Sequence, residues 1–324
     1  MFLISWVIIS TPMTLKIRKY YLKQLSQRFK GKKINDLMYE IKIPDNLFYN
    51  IKSSTINYVS RCFNDNEILI KENDLIKKIL SKSSKLSNLT PNGLMVPKNE
   101  NSLEFNCLLK NYVQILKYFN FESLIENFHF PPNIRLKLPN VRKKNMLRKH
   151  PTELMHSDTW TGANPNWCAV HLFILGDIAR NNIRYAEPPN NFEEKWLMPL
   201  KNSKLGKDIS NKFKPIKYSP KKGYMVIADA TIIHQSFRKN NAGIRISLDT
   251  GFDLKMKKLK SFKRIKVDKH DVKKIRKSET ISKDDFMQIG KKTYFHFPDS
   301  FKNKVLHKGG FKHPTNPKLI RLVK

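Results

Sequence analysis

The chain has 324 residues, of which 40% are apolar, so it can bury one sizeable core, and wholesale disorder is excluded. Lys and Arg outnumber Asp and Glu by 62 to 27, and the resulting net charge of +35 favours a polyanionic partner such as nucleic acid, an anionic lipid surface or a phosphorylated substrate. A genome rich in A and T gives the same excess, because its codons favour Lys, Asn and Ile, so charge alone identifies no partner.

The cysteines and the N-terminus bear on the cellular compartment. Cys62, Cys107 and Cys168 form no C-x-x-C pair, which excludes a zinc ribbon or a thioredoxin-like site and is typical of a reducing cytoplasm. The apolar run 1–10 is too short to span a bilayer and lacks the features of a signal peptide. It is interpreted as an extra strand, or as the result of a start codon assigned before a true start at Met13. We expect no membrane span and a cytoplasmic protein.

Residues 1–128 are predicted to form a helical region that packs on a core formed later in the chain. Apolar residues recur at helical spacing, and the predicted elements are a helix and loop over 14–40, helices over 45–63 and 67–80, a loop over 83–101 and a long helix over 103–128.

The pattern changes at Pro131 and Pro132, after which short apolar runs alternate with turn residues. Strands are predicted at 134–138, 169–175, 224–228, 232–237 and 244–252. Helices followed by short antiparallel strands predict a mainly β fold with α elements, in which a jelly-roll, cupin-like barrel over 129–254 is buttressed by the N-terminal helices.

A basic C-terminal extension is expected over 255–324. Residues 255–277 contain twelve Lys or Arg. This run either docks a polyanion or forms a solvated helix or tail.

His156 and Asp158, the only H-x-D pair in the chain, give the sharpest functional signal. On a strand the two side chains would point to one face and could occupy adjacent positions on one metal ion. His234, in a later strand-like run, is the candidate third ligand, although a lone histidine there is ordinarily a core residue. Two histidines and one carboxylate form the facial triad of non-haem Fe(II) oxygenases.

Arg245 and Ser247 follow His234 at a short distance and lie on one face of a predicted strand. A guanidinium beside a hydroxyl suits the distal carboxylate of a dicarboxylate cosubstrate, whereas Arg245 alone could equally form a surface ion pair. Arg276 and Ser278 repeat the R-x-S spacing without a strand pattern, which we attribute to coincidence. The ordered set of motifs is more specific than any single member.

With these motifs in this order, the sequence resembles the 2-oxoglutarate/Fe(II) oxygenases of the phytanoyl-CoA dioxygenase-like type, and it is most similar to the branch called sporadic carbohydrate cluster oxygenases. The resemblance covers about residues 130–253, and its shared stretches are 133–139, 156–162, 223–234 and 244–249. It implies a double-stranded β-helix core and the use of Fe(II), 2-oxoglutarate and O₂. It also implies a substrate that is a sugar, a nucleotide sugar or a glycan precursor, which we expect to be an anionic small molecule.

The sequence departs from that branch at three places. They are the stretch 168–177, Gln235 and Ser236 after the distal histidine, and Gly251, where the branch has an arginine. None of them affects the predicted metal ligands, so they bear on the substrate more than on the chemistry.

Three further residues are candidates for the site. Arg135 lies on a predicted strand and faces the cosubstrate or substrate, or serves packing. Trp160 and Arg238 are candidates for the substrate mouth, where an aromatic face beside a cation would suit a sugar phosphate, although Trp160 is equally suited to the core. Asp158 favours hydroxylation, desaturation or epimerisation, because related halogenases have a small residue at that position.

Three competing functions stay open. A nucleic-acid-directed oxygenase would suit the charge, but the spacing of Arg238 and Arg245 after His234 does not match AlkB-like repair enzymes. A non-catalytic, basic polyanion-binding barrel would have lost its metal, yet the ligand set is intact. A cupin-like isomerase would use the metal without 2-oxoglutarate, and the pair Arg245 and Ser247 speaks against it.

Overall fold

A computed structural model describes the larger part of the chain. The described residues are 15–63, 71–86, 88–98, 101–119, 125–129, 132–141, 143–163, 165–254 and 280–282. The predictions for the apolar run 1–10 and the basic run 255–277 lie outside them.

Helices dominate the N-terminal part, as predicted. In chain order the elements are α1 (Leu15–Arg28), β1 (Lys32–Asn35), β2 (Met38–Lys42), α2 (Asp45–Arg61), α3 (Glu72–Lys82) and α4 (Ser102–Phe119). Helix α2 begins directly after Pro44 and has an aspartate in its first turn, where a negative charge is favourable. Between α3 and α4 the chain is a loop that contains a short 3₁₀ turn, Ser83–Lys85.

Strands dominate the second part. They are β3 (Ile125–His129), β4 (Asn133–Lys137), β5 (Trp167–Gly176), β6 (Asn181–Glu187), β7 (Lys214–Pro215), β8 (Tyr224–Asp229), β9 (Ile233–Arg238), β10 (Arg245–Leu254) and β11 (Thr280–Ser282), with short helices α5 (Lys143–Met146) and α6 (Lys207–Ser210) between them. The five predicted strands are confirmed as β4, β5, β8, β9 and β10.

The strands form two antiparallel sheets. The large sheet has the order β1-β2-β8-β5-β10-β3-β11, and β4 pairs with the first half of β10. The small sheet has the order β7-β6-β9. Strand β10 is central, because its other edge pairs with β5 over nine residue pairs, from Arg245 opposite Gly176 to Asp253 opposite Trp167.

Side-chain alternation gives the large sheet two faces with different partners. Leu136, Ile246 and Leu248 lie on the face that packs against the helices in the largest apolar cluster. The opposite face meets the small sheet, where Phe173 and Tyr185 belong to a second cluster. The structure thus confirms a mainly antiparallel β core with the N-terminal helices packed on one face.

Several elements differ from the prediction. The long helix ends at Phe119, and residues 125–129 form a strand instead, because Phe128 pairs with Phe252 far along the chain. Strands β1 and β2 replace a predicted loop, and β2 pairs with β8. Such partners are distant in sequence, so local periodicity does not reveal them. Among the described residues, no helix has both the length and the apolarity needed to cross a membrane.

Candidate metal centre

The three predicted metal ligands converge in the structure. One ligand atom from each of His156, Asp158 and His234 lies within 4.8 Å of the other two. The backbones of the two histidines form an isolated antiparallel bridge, with N–O distances of 3.0 and 2.8 Å. This bridge attaches the H-x-D segment to the small sheet through β9.

The prediction that a strand carries the H-x-D pair is wrong. His156 makes a single bridge, and Asp158 begins a 3₁₀ helix, Asp158–Thr161. Ser157 stabilises the turn between them, because its hydroxyl accepts a hydrogen bond from the Thr159 backbone N–H and donates one to the Ala230 carbonyl. The turn, and not strand alternation, directs both side chains to the same place.

Hydrogen bonding orients the His156 ring for metal binding. Its Nδ1 lies 2.7 Å from the Leu154 carbonyl oxygen. Because a carbonyl oxygen only accepts, Nδ1–H donates this hydrogen bond, and Nε2 is left as the atom that can bind a metal. Burial, with the neighbouring His234 as a second cause, lowers the pKa of His156 to about 4. The ring is therefore neutral at pH 7, and this is the form that binds a metal.

Asp158 completes the cluster as a carboxylate. Its Oδ1 lies 3.7 Å from His234 Nε2, and its Oδ2 accepts a hydrogen bond of 3.2 Å from Trp167 Nε1. Although burial opposes ionisation, His234 and His156 hold the pKa of Asp158 below its usual value. The Trp167 ring packs so closely on Gly251 that a Cβ at that position would overlap it.

The ligand set suits non-haem Fe(II). Two imidazoles and one carboxylate on one side of an ion leave three positions for other ligands. Adjacent ligand atoms on such an ion lie about 3 Å apart, so the 3.7 Å between Asp158 Oδ1 and His234 Nε2 would shorten by about 0.7 Å, and a pair at the 4.8 Å limit of the cluster by about 2 Å.

Arg245 is a buried cation with unsatisfied hydrogen-bond donors. Arg245 is 0% exposed, and its guanidinium carbon lies 5.8 Å from the centre of the Phe173 ring. Its Nε and Nη1 have no hydrogen-bond partner among the described residues. Burial lowers the pKa of Arg245 to about 10, so it is still charged at pH 7. A buried charge in this state is costly unless an anion binds it, and a ligand carboxylate would meet that need.

Ser247 and Arg135 lie beside Arg245 but are bound to Asp249. Ser247 donates its hydroxyl to Asp249 Oδ1 at 2.8 Å, and Arg135 Nε lies 3.2 Å from Asp249 Oδ2. In the structure Asp249 thus binds the Ser247 hydroxyl and the Arg135 Nε, and the predicted contact of these two residues with a cosubstrate stays a prediction. The sequence interpretation missed Asp249, although the alternation that selected Arg245 and Ser247 includes it.

Trp160 lies in the interior and not at a substrate mouth. It is 1% exposed, and its indole N–H donates to the Trp196 carbonyl oxygen at 2.7 Å. A Cβ at Gly206 would overlap its ring, so no sugar can stack on that side.

Arg238 is likewise held by partners within the protein. Its Nε donates to the Leu138 carbonyl oxygen at 2.7 Å, and its Nη1 lies 3.3 Å from Glu153 Oε1. Lys137 binds the same carboxylate oxygen at 3.3 Å, and burial lowers the pKa of Lys137 to about 7. These ion pairs lie near Arg245, which is directly opposite Lys137 in the sheet.

His171 of β5 is a site residue that the sequence interpretation did not select. Its ring centre lies 5.1 Å from that of His234, and its Nδ1 is 3.2 Å from the Tyr185 hydroxyl. A lone histidine within the apolar strand Trp167–Gly176 was the available signal.

Comparisons with known proteins give distant structural likenesses. No family model and no curated protein sequence matches the chain. AviO1 from Streptomyces viridochromogenes is 11% identical, with a TM-score of 0.38 over 71% of this chain and 94% of that one. The alpha ketoglutarate dependent epimerase SnoN from nogalamycin biosynthesis is 11% identical, with a TM-score of 0.36 over 72% and 82%. An N-substituted L-amino acid dioxygenase from Burkholderia ambifaria is 10% identical, with a TM-score of 0.33 over 67% and 85%. At these scores, the function must be inferred from the residues of this chain.

Proposed function

We propose that the protein is an Fe(II)- and 2-oxoglutarate-dependent oxygenase. His156, Asp158 and His234 would hold the iron, and Arg245 would bind the distal carboxylate of 2-oxoglutarate. Residues 129–254 would form the catalytic core as a double-stranded β-helix, with β1 and β2 extending its large sheet.

One observation carries the proposal. A cluster of two histidines and one carboxylate lies in the same interior as a fully buried arginine whose Nε and Nη1 have no partner among the described residues. A metal that the cluster holds and an anion that the arginine binds can belong to one ligand, because 2-oxoglutarate chelates a metal at one end and carries a carboxylate at the other. A cupin-like isomerase would leave Arg245 unexplained.

The residues of the chain have distinct roles in this reaction. His156 and His234 present imidazole nitrogens, Asp158 supplies a negative charge, and Trp167 holds the second oxygen of that carboxylate. Arg245 orients the cosubstrate by charge and hydrogen bonding. Bound iron would activate O₂ for the overall conversion of 2-oxoglutarate, O₂ and a substrate C–H bond into succinate, CO₂ and a C–OH group.

We propose a sugar, nucleotide sugar or glycan precursor as the substrate. Support comes from the resemblance of stretches such as 156–162 and 244–249 to the carbohydrate cluster branch, and from the net charge of +35, which favours an anionic molecule. The side chains that would contact it differ from those expected, since Trp160 and Arg238 are bound within the protein.

The test is an anaerobic titration. Fe(II) and then 2-oxoglutarate are added to the purified full-length protein, and the visible difference spectrum is recorded. We expect a weak metal-to-ligand charge-transfer band in the wild type and none in Asp158→Ala. Asp74→Ala, which removes an exposed carboxylate from α3, is the matched control and should keep the band. A folded wild type without a band would refute the proposal.

A further inference from the structure

We infer that His171 is a cosubstrate-binding residue, whose Nε2–H donates a hydrogen bond to a carboxylate oxygen of 2-oxoglutarate where that carboxylate chelates the metal. This inference rests on the proposed function and adds a fourth side chain to the metal site, one that acts on the cosubstrate and is not a metal ligand.

His171 is placed for this role by the sheet. It lies on β5 opposite Asp249 of β10, on the large-sheet face that meets the small sheet. Its ring lies at 69° to that of the metal ligand His234, with ring centres 5.1 Å apart. His234 lies on β9 of the small sheet and His171 on β5 of the large sheet. A ligand bound beside His234, where the two sheets face each other, would therefore be within reach of His171.

The hydrogen bond to Tyr185 determines which ring nitrogen of His171 carries the proton. Tyr185 is paired with His234 across β6 and β9, and its hydroxyl lies 3.2 Å from His171 Nδ1. That hydroxyl has no other hydrogen-bond partner among the described residues, so its O–H donates a hydrogen bond to Nδ1. A neutral imidazole that accepts at Nδ1 carries its hydrogen on Nε2.

The Nε2–H of His171 then lacks an acceptor. His171 is 4% exposed, and among the described residues the contact with Tyr185 is the single hydrogen bond of its side chain. In an imidazole, Nε2 lies at the end of the ring away from the backbone, so this donor points into the interior between the sheets. A ring donor this close to a candidate metal ligand is available to an acceptor atom of a bound molecule. An anionic oxygen of the chelating ligand would supply it.

Competing roles for His171 make different predictions. As a packing residue held by Tyr185, it would affect stability but not the cosubstrate. As a metal ligand, it would affect iron affinity, yet the group of ligand atoms within 4.8 Å consists of His156, Asp158 and His234. As a donor to the cosubstrate, it would affect the affinity for 2-oxoglutarate and the spectrum of the loaded site.

The experiment compares four proteins: the wild type, His171→Phe, His171→Gln and Tyr185→Phe. Each is loaded with Fe(II) without oxygen and titrated with 2-oxoglutarate, with the charge-transfer band as readout; Fe(II) affinity is measured separately by competition with a chelator. In His171→Phe we expect the Kd for 2-oxoglutarate to rise about 10- to 100-fold, since one hydrogen bond to a charged group is lost, and the band to shift. Fe(II) affinity should change much less than the Kd for 2-oxoglutarate, because His171 does not belong to the group of metal-binding side chains.

The two other variants keep the inference testable if His171→Phe does not fold. His171→Gln keeps an N–H donor and should restore part of the affinity. Tyr185→Phe frees Nδ1 to carry the proton, so the Kd should rise about three- to tenfold. Unchanged Kd values and an unmoved band in the folded variants would overturn the inference while the proposed function stands. A wild type without the band would refute both.

Discussion

Replacing Arg245 by Met should have opposite effects on cosubstrate binding and on the stability of the ligand-free protein. Arg245 is fully buried, and its Nε and Nη1 have no partner among the described residues. The ligand-free protein therefore carries the desolvation cost of a guanidinium without the hydrogen bonds that would offset it. Methionine has a similar length and no charge, so it removes this cost and retains most of the packing against Phe173.

The sizes of both effects follow from the two unsatisfied N–H donors of Arg245 and from its buried charge. Each hydrogen bond between charged groups contributes about 1.5–3 kcal/mol, so losing two should raise the Kd for 2-oxoglutarate at least about 100-fold. Replacing the buried charge, for which Asp249 compensates only in part, should raise the free energy of unfolding of the ligand-free protein by about 1–3 kcal/mol. Arg245→Met should therefore unfold at a higher temperature than the wild type without 2-oxoglutarate, and saturating 2-oxoglutarate should no longer stabilise it.

Arg238→Met is the matched control, because the Nε and Nη1 of Arg238, unlike those of Arg245, have partners in the Leu138 carbonyl and Glu153. This variant should lose about 2–4 kcal/mol of stability and keep its affinity for 2-oxoglutarate within about threefold. Thermal unfolding with and without 2-oxoglutarate, together with calorimetric titration of the Fe(II)-loaded proteins, measures both quantities. If Arg245→Met destabilises the ligand-free protein and binds 2-oxoglutarate as the wild type does, Arg245 is a structural residue.

Two further predictions concern Glu72 and Gly251, which contact the strand β5 and the Trp167 ring next to the site. Partial burial opposes ionisation of Glu72, but hydrogen bonds from Lys222 and Lys52 lower its pKa to about 2. The ionised Glu72 therefore stabilises the fold fully above about pH 4.5, and this stabilisation is lost as the pH falls toward 2. Glu72→Gln should cost about 1–2 kcal/mol at pH 7, a value reduced for solvent screening, and chemical denaturation should show the gap to the wild type closing below pH 4.5. Gly251→Ala would push the Trp167 ring away from Asp158 and should weaken Fe(II) binding about 10-fold, whereas unchanged metal affinity would show that Trp167 does not position the carboxylate.

The sequence predicted the elements whose pattern is local. Strands β4, β5, β8, β9 and β10 each contain a short apolar run between turn residues, and α2 has helical spacing after a proline. The cluster of His156, Asp158 and His234 was also predictable, because an H-x-D pair, a distant histidine and an R-x-S pair form an ordered set. Strand β3 was not predicted, since the segment continues the apolar spacing of α4 and becomes a strand by pairing with β10.

The hydrogen-bond partners within the site could not be read from the sequence. From the sequence, Trp160 is equally suited to a binding surface or to the core. In the structure, its hydrogen bond to Trp196 and the close approach of Gly206 to its ring place it in the core. Ser247 looks like a cosubstrate donor until Asp249, two residues later on the same face, accepts its hydroxyl. A motif identifies which side chains point inward. Which of them form hydrogen bonds with one another, and which are left for a ligand, depends on distances that the sequence does not give.

Charge pairing around the cosubstrate end of the site explains why Arg245 is the residue left for a ligand. Four basic side chains lie together there with two carboxylates. Asp249 binds Arg135 and also stabilises the charge of Arg245, whereas Glu153 binds Arg238 and Lys137, whose pKa burial lowers to about 7. Arg245 is the most deeply buried of the four, and its Nε and Nη1 have no hydrogen-bond partner among the described residues. The demand for an anion therefore comes from one position in the interior, whereas the net charge of +35 is spread along the whole chain and would act on any anion at its surface.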